Sequence, residues 1–384
     1  MMRNVNKSLL YDNVMRSINS DIELSNIAGA AVIVAQHGEI ILDERVGYKD
    51  IRTKEALSRG TIFRLASMTK PVTGFAFLLG IERGWFKYDD RLADHFPEFA
   101  EMMVGRIENG AVIPDHKPKN DILLYQLLSH SSGFMCNSPI TEIQKAALPH
   151  SVYKNAKTKI DACLKDCLAF EPGEGYGYAQ SAPYDVVALL IEKYSGMSYA
   201  DFLDEYLFKP LGIKDVTYRP TEEQWSRFIT MHDRTANAGM VTVDMGRSIF
   251  EGNPLEYTAA GAGLCGSIED YFKFADMLRR GGEYDGGRLV SPETFALYAK
   301  PCVDMKYMGV GAQNSWGLGV RVTVGHNTLP DGSFGWSGAY GTHFFIDKEH
   351  DITAVYMKNN RWHDSHGAGK TGARFEIDVL SSLE

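Results

Sequence analysis

The chain has 384 residues, of which 44% are hydrophobic and 23% charged, with 40 Lys and Arg against 49 Asp and Glu for a net charge of −9. That length predicts two domains or one large domain with an insertion, and the composition excludes disordered and fibrous classes. The acidic balance, with no basic cluster, excludes a nucleic-acid or anionic-membrane partner, and the longest apolar run, Phe75–Ile81, is far short of a membrane span.

At the N-terminus Arg3 and Lys7 imitate the start of an export signal, but Asp12, Arg16, Asp21 and Glu23 interrupt its apolar part. Leu10, Val14 and Ile18 recur every four residues and predict an amphipathic helix instead. Five Cys without an export signal read as reduced thiols in a cytoplasmic protein. Cys163 and Cys167, four apart in a helical pattern, are expected side by side on one face and unbridged.

Ala31–Ala35 and Glu39–Asp43, joined by Gln36-His37-Gly38, predict a strand–turn–strand unit. Thr61–Arg83 reads as one long buried helix. From Tyr88 to Arg247 helical segments alternate with Gly/Pro-rich loops, including a helix over Tyr184–Tyr194 closed by Ser195-Gly196. Asp270–Arg280 is a further helix ending at Gly281-Gly282, followed by strand-like runs at Gly317–Val324, Thr342–Ile346 and Ile352–Met357 and a tail helix over Ala373–Leu383. No repeat is visible. The late strands are joined by short hairpins, so they are antiparallel, and strands at both ends surround a helical middle. The expected organisation is an α/β sheet domain from residues 1–87 and 248–384, with a helical insertion domain over 88–247.

Several motifs are missing. There is no G-x-S-x-G and no H-E-x-x-H, and the closest pair among the eleven His is His363 and His366, so no metal site is expected. Gly369-Lys370-Thr371 looks like the end of a phosphate-binding loop, but Asp364 stands where the full motif needs Gly and would repel phosphate.

The informative signal is Ser67-Met68-Thr69-Lys70, an S-x-x-K at the head of a buried helix. Spacing i, i+3 puts both side chains on one face, and a desolvated Lys can accept the Ser proton. Ser151-Val152-Tyr153-Lys154 matches the same pattern in a polar context. The stretch Phe63–Gly74 resembles the active-site helix of the serine β-lactamase/penicillin-binding-protein superfamily, in its class C-like branch, which includes esterases. Asp89-Asp90-Arg91-Leu92 with Phe96-Pro97-Glu98-Phe99, Leu127-Leu128-Ser129-His130-Ser131-Ser132-Gly133, and Phe170-Glu171-Pro172-Gly173 followed by Tyr176–Gln180 resemble further signatures of that branch in the same order. The resemblance covers about Ala31 to Met357 and implies an antiparallel sheet with helices on both faces plus a mostly helical domain.

By this resemblance the second catalytic element is Tyr178, expected to lose its proton more easily beside Lys70. Tyr11 to Asn13 and Tyr153 to Asn155 match Tyr-x-Asn without its context. Gln180 stands where Asn is usual, which counts against β-lactam or peptide handling. The third element of the family is a triplet on a cleft strand. Lys370-Thr371-Gly372 matches by letter but follows the last strand, whereas Trp336-Ser337-Gly338 precedes a strand–turn–strand as the family requires. Trp336 has no charge to attract a carboxylate, so neutral acyl groups are favoured. The oxyanion donors map to the backbone N–H groups of Ser67 and Ala339. The expectation is a serine hydrolase, without cofactor or metal, acting through an acyl-enzyme on small neutral esters. A β-lactamase or D-amino-acid peptidase, and a ligand-binding homologue without turnover, are the alternatives. Gln180, Trp336, Ser337 and Gly338 are the substrate-binding candidates.

Overall fold

A computed structural model describes residues 3–147, 153–235, 239–250, 256–325, 328–361 and 371–384. Its centre is one antiparallel sheet built from the two ends of the chain. The early strands are β1 (Gly29–Gln36), β2 (Glu39–Asp50) and β3 (Glu55–Ala56). The late ones are β4 (Asn314–Trp316), β5 (Arg321–Thr323), β6 (Phe334–Ser337), β7 (His343–Asp347) and β8 (Ile352–Met357). Their order in the eight-stranded sheet is β4-β5-β6-β7-β8-β1-β2-β3, so the first strand pairs with the last, Ala31 opposite Met357 and Gln36 opposite Ile352.

Strand β1 is buried along its whole length, which explains its unbroken apolar run Ala-Ala-Val-Ile-Val-Ala. Alternate residues serve two cores. Val32 and Val34 meet Leu10, Val14 and Ile18 of helix α1 (Lys7–Glu23) and Phe375 and Val379 of helix α5 (Thr371–Leu380). Ala31 and Ile33 join the larger core with Phe75 of helix α2 (Thr69–Glu82), Val186 of helix α3 (Ala182–Ser195) and Phe274 of helix α4 (Ile268–Arg279). Helices thus cover both faces of the sheet, and the N- and C-terminal helices cover one face together. The fold is the α/β arrangement expected from the sequence.

Four local expectations change. The run Thr61–Arg83 is not one helix: Ile62–Arg64 is a strand paired with Cys265–Ser267, Ala66–Met68 is a 3-10 turn, and the α-helix begins only at Thr69. Pro71 then sits in the first helical turn, where its missing N–H costs nothing. The buried Asn359 side chain fixes the strand, accepting from Arg64 N–H at 2.9 Å and donating to Arg64 C=O at 3.2 Å. Gly317–Val324 is likewise not one strand: only Arg321–Thr323 is β5, and Gly317 N–H donates to Val320 O at 2.9 Å in the turn that joins it to β4. The middle of the chain also carries two hairpins, Val104–Glu108 with Ala111–His116 and Met231–Thr235 with Gly239–Val243. The first turns through Asn109-Gly110, both at positive φ, a signal the sequence does contain. Finally, Cys167 lies beyond the end of the Ala156–Cys163 helix, so it and Cys163 share no helical face; all five Cys are free.

Among the described residues no helix is long and apolar enough to cross a membrane. Asn359→Ala is expected to lower the unfolding free energy by about 2 kcal/mol, because it strands two buried backbone groups of Arg64. An unchanged midpoint in urea denaturation would contradict that assignment.

Candidate active site

Ser67 lies in the tight turn between the Ile62–Arg64 strand and helix α2. The preceding Ala66 is fully buried at φ +46, a left-handed conformation held by its surroundings. Lys70 follows in the first turn of α2 and is 0% exposed. Its Nζ lies 3.2 Å from Ser67 Oγ, 2.6 Å from Gln180 O and 2.9 Å from Gly261 O. Burial pushes the Lys70 pKa down to about 7; the charge of Asp185 works against this shift and that of Lys159 adds to it. The three contacts satisfy either form of the amine. Neutral, it gives two N–H to the carbonyls and turns its lone pair to the Ser67 hydroxyl; charged, it donates to all three.

Tyr178 O–H donates to Ser67 Oγ at 2.9 Å and receives Trp336 Nε1–H at 3.4 Å. The expectation that this phenol becomes more acidic is wrong. Burial raises its pKa and outweighs the lowering by those two hydrogen bonds, so the group stays protonated. Of the two, Lys70 is the one poised near neutrality.

The Tyr178 loop rests on His130, which stands in a sequence motif but had no role assigned to it. His130 Nδ1 accepts from Ala179 N–H at 3.0 Å, and the two rings of His130 and Tyr178 lie 4.6 Å apart. Tyr184 O–H donates to Leu128 O at 2.9 Å, so the 3.3 Å contact to His130 Nε2 makes that nitrogen the donor. Burial, with Lys70 nearby, holds His130 well below the usual pKa and keeps it neutral. Asn137 N–H to Tyr178 O, 2.8 Å, fastens the loop from the other side.

Trp336 and Ser337 end β6, and Gly338 follows them ahead of strands β7 and β8. The Trp336 ring lies 5.6 Å from that of Tyr178 and 4.4 Å from that of Trp316, whose Nε1–H donates to Tyr176 OH at 2.9 Å. Ser337 points to the other face of the strand, where its hydroxyl meets His343 Nδ1 at 2.8 Å. His343 Nε2 lies 3.1 Å from Glu376. At Gly338 a Cβ would fall 2.3 Å from Leu65 O, so only Gly lets this strand end reach the turn that carries Ser67. Ala339 then packs in one cluster with Ala66, Met231 and Tyr340. Gln180 is exposed, and it is its backbone carbonyl that meets Lys70.

Among the described residues the rejected matches fall elsewhere. Tyr11 is 46% exposed on α1, and Lys154 is exposed. Ser151, His363, His366 and Lys370 lie outside the described residues, while Thr371 and Gly372 begin α5, with Gly372 against the His343 ring. Among the described residues no group of three His, Cys, Asp or Glu could hold a metal.

A serine hydroxyl held between a buried Lys and a protonated Tyr, on a sheet closed by both chain ends, is the arrangement of a serine hydrolase. Residues 19–376 match the Beta-lactamase family model, and the chain belongs to that family. It is 26% identical over 364 residues to Protein Rv1367c of Mycobacterium tuberculosis, covering 90% of this chain and 89% of that one. It is also 26% identical over 379 residues to Esterase EstB of Burkholderia gladioli, covering 89% and 88%. Among solved structures, EstCE1, a hydrolase with promiscuous acyltransferase activity, superposes with a TM-score of 0.79 at 22% identity over 98% of both chains, a likeness of fold.

Because Lys70 is less readily protonated folded than unfolded, its burial costs most below pH 7, and that cost fades as pH climbs toward 10.5. Lys70→Met is therefore expected to stabilise the fold at pH 6 and to do so less at pH 9, as read from denaturation midpoints. An equal gain at both pH values would contradict the lowered pKa.

Proposed function

We propose that the protein is a carboxylesterase or acyltransferase for small neutral esters, working through an acyl-enzyme on Ser67. The observation that carries this reading is the hydrogen bonding of Ser67 Oγ to both Lys70 Nζ, 3.2 Å, and Tyr178 OH, 2.9 Å. Ser67 attacks the ester carbonyl and its proton passes to the Lys70 amine, whose pKa near 7 suits a general base at neutral pH. The backbone N–H groups of Ser67 and Ala339 hold the oxyanion; one such donor contributes about 10²–10³ in rate. The ester C–O bond breaks, Tyr178 gives its proton to the leaving alkoxide, and Lys70 returns its extra proton to the Tyr178 oxygen. Water, or an alcohol in the transferase reaction, then removes the acyl group. The reaction as written needs no metal or organic cofactor.

Trp336 supports the neutral-ester part of the reading. With Trp316, Tyr176 and Tyr178 it forms an aromatic wall, and it offers ring area where a Lys would offer charge to a carboxylate. The esterase name of EstB and the acyltransferase activity stated for EstCE1 agree with it. In the same reading the site lies between a sheet domain of residues 1–87 and 248–384, which carries Ser67, Lys70 and Trp336, and an insertion domain of residues 88–247, which carries Tyr178.

The test is a parallel assay of short-chain nitrophenyl esters, a chromogenic cephalosporin and D-alanyl peptides. Esters are expected to be the best substrates, with kcat/KM rising through a midpoint near pH 7 and falling by about 10³-fold or more in Ser67→Ala. Cephalosporin or D-peptide turned over faster than any ester would replace this reading with a β-lactamase or peptidase. Binding without turnover of any of them would make the chain a ligand-binding homologue. Trp336→Lys is expected to raise turnover of anionic over neutral substrates by about tenfold.

A further inference from the structure

We propose that Asp185 is a positioning residue for Lys70: its carboxylate joins the two backbone segments whose carbonyl oxygens hold the Lys70 amine. The inference rests on the reading of Ser67 as nucleophile and Lys70 as base. Lys70 Nζ is held by Gln180 O and Gly261 O, which belong to loops more than 80 residues apart in sequence. Asp185, at 0% exposure in the first turn of α3, reaches both loops. Its Oδ1 accepts from Ala260 N–H at 3.0 Å, next to Gly261, and its Oδ2 from Ser181 Oγ–H at 2.9 Å, next to Gln180. Tyr257 O–H at 2.5 Å and Lys159 Nζ at 3.0 Å complete the second oxygen. A Cβ at Gly261 would come within 2.5 Å of Gln180 O, so the loops touch at the point the carboxylate fastens. Four donors on one buried carboxylate leave neither of its oxygens unpaired away from water.

The groups facing Lys70 are Ser67, Tyr178, Tyr184, His130, Asp185 and, one step further, Lys159. The negative charge of Asp185 favours the charged amine and that of Lys159 disfavours it. Removing each should therefore move the Lys70 titration in opposite directions, which mere loss of packing would not do.

The experiment measures pH profiles of kcat/KM for a short-chain nitrophenyl ester with wild type, Ser67→Ala, Asp185→Asn and Lys159→Met, alongside thermal unfolding. Ester hydrolysis must vanish in Ser67→Ala; if it survives, the base reading and this inference fall together. With that control met, Asp185→Asn is expected to shift the acid limb down by about half a pH unit or more, and to lower kcat about tenfold with KM little changed. Lys159→Met is expected to shift the same limb up. An unmoved limb in folded Asp185→Asn, or in Lys159→Met where Asp185→Asn does not fold, would overturn the proposal while leaving the esterase reading intact.

Discussion

The structure around the site depends on burying one amine. An ammonium taken wholly out of water loses far more solvation than a protein can easily return, and the affordable solution is to let it titrate near neutrality while every hydrogen-bonding position stays filled. Lys70 meets that condition with two backbone carbonyls and one serine hydroxyl. The proton can enter or leave without any group being left unpaired. The same burial that makes the amine a base at neutral pH raises the phenol of Tyr178, and the two neighbours are thereby driven apart into acceptor and donor roles.

Holding that amine requires four distant pieces of chain to meet. Helix α2 supplies the side chain, the Tyr178–Gln180 loop and the Ala260–Gly261 segment supply the carbonyls, and the end of β6 approaches through Gly338. The sheet makes this possible because its first and last strands pair, so residues near 30 and 357 fix one frame. Asn359, just past β8, carries that frame to the Ser67 turn by binding both backbone groups of Arg64. Neutral His130 does the corresponding work beneath the Tyr178 loop, through one acceptor nitrogen and ring contact.

How much could be read in advance follows from the range of each signal. The periodic apolar residues of α1, the helices α3 and α4 with their closing glycines, and the antiparallel strands β7 and β8 were legible, since their patterns are local. The head of α2 was not: an apolar stretch of that length reads as helix, and only pairing with Cys265–Ser267 makes its start a strand. The hairpin at Asn109-Gly110 carried a turn signal that the helical reading of its surroundings overrode.

For the site, the sequence by itself determined the residue types and their order. Ser67, Lys70, Tyr178 and Trp336 stand in ordered motifs, and the structure brings these four side chains together. Tertiary structure alone decided the protonation of Lys70 and Tyr178, because desolvation depends on what packs around a group and not on its neighbours in sequence. It also decided that Gln180 offers its backbone carbonyl to Lys70, and that Ser337 turns to His343, since both depend on backbone direction at loop and strand ends. Asp185 and Gly261 carry no motif at all. They enter the site only because folding brings segments far apart in sequence against one lysine.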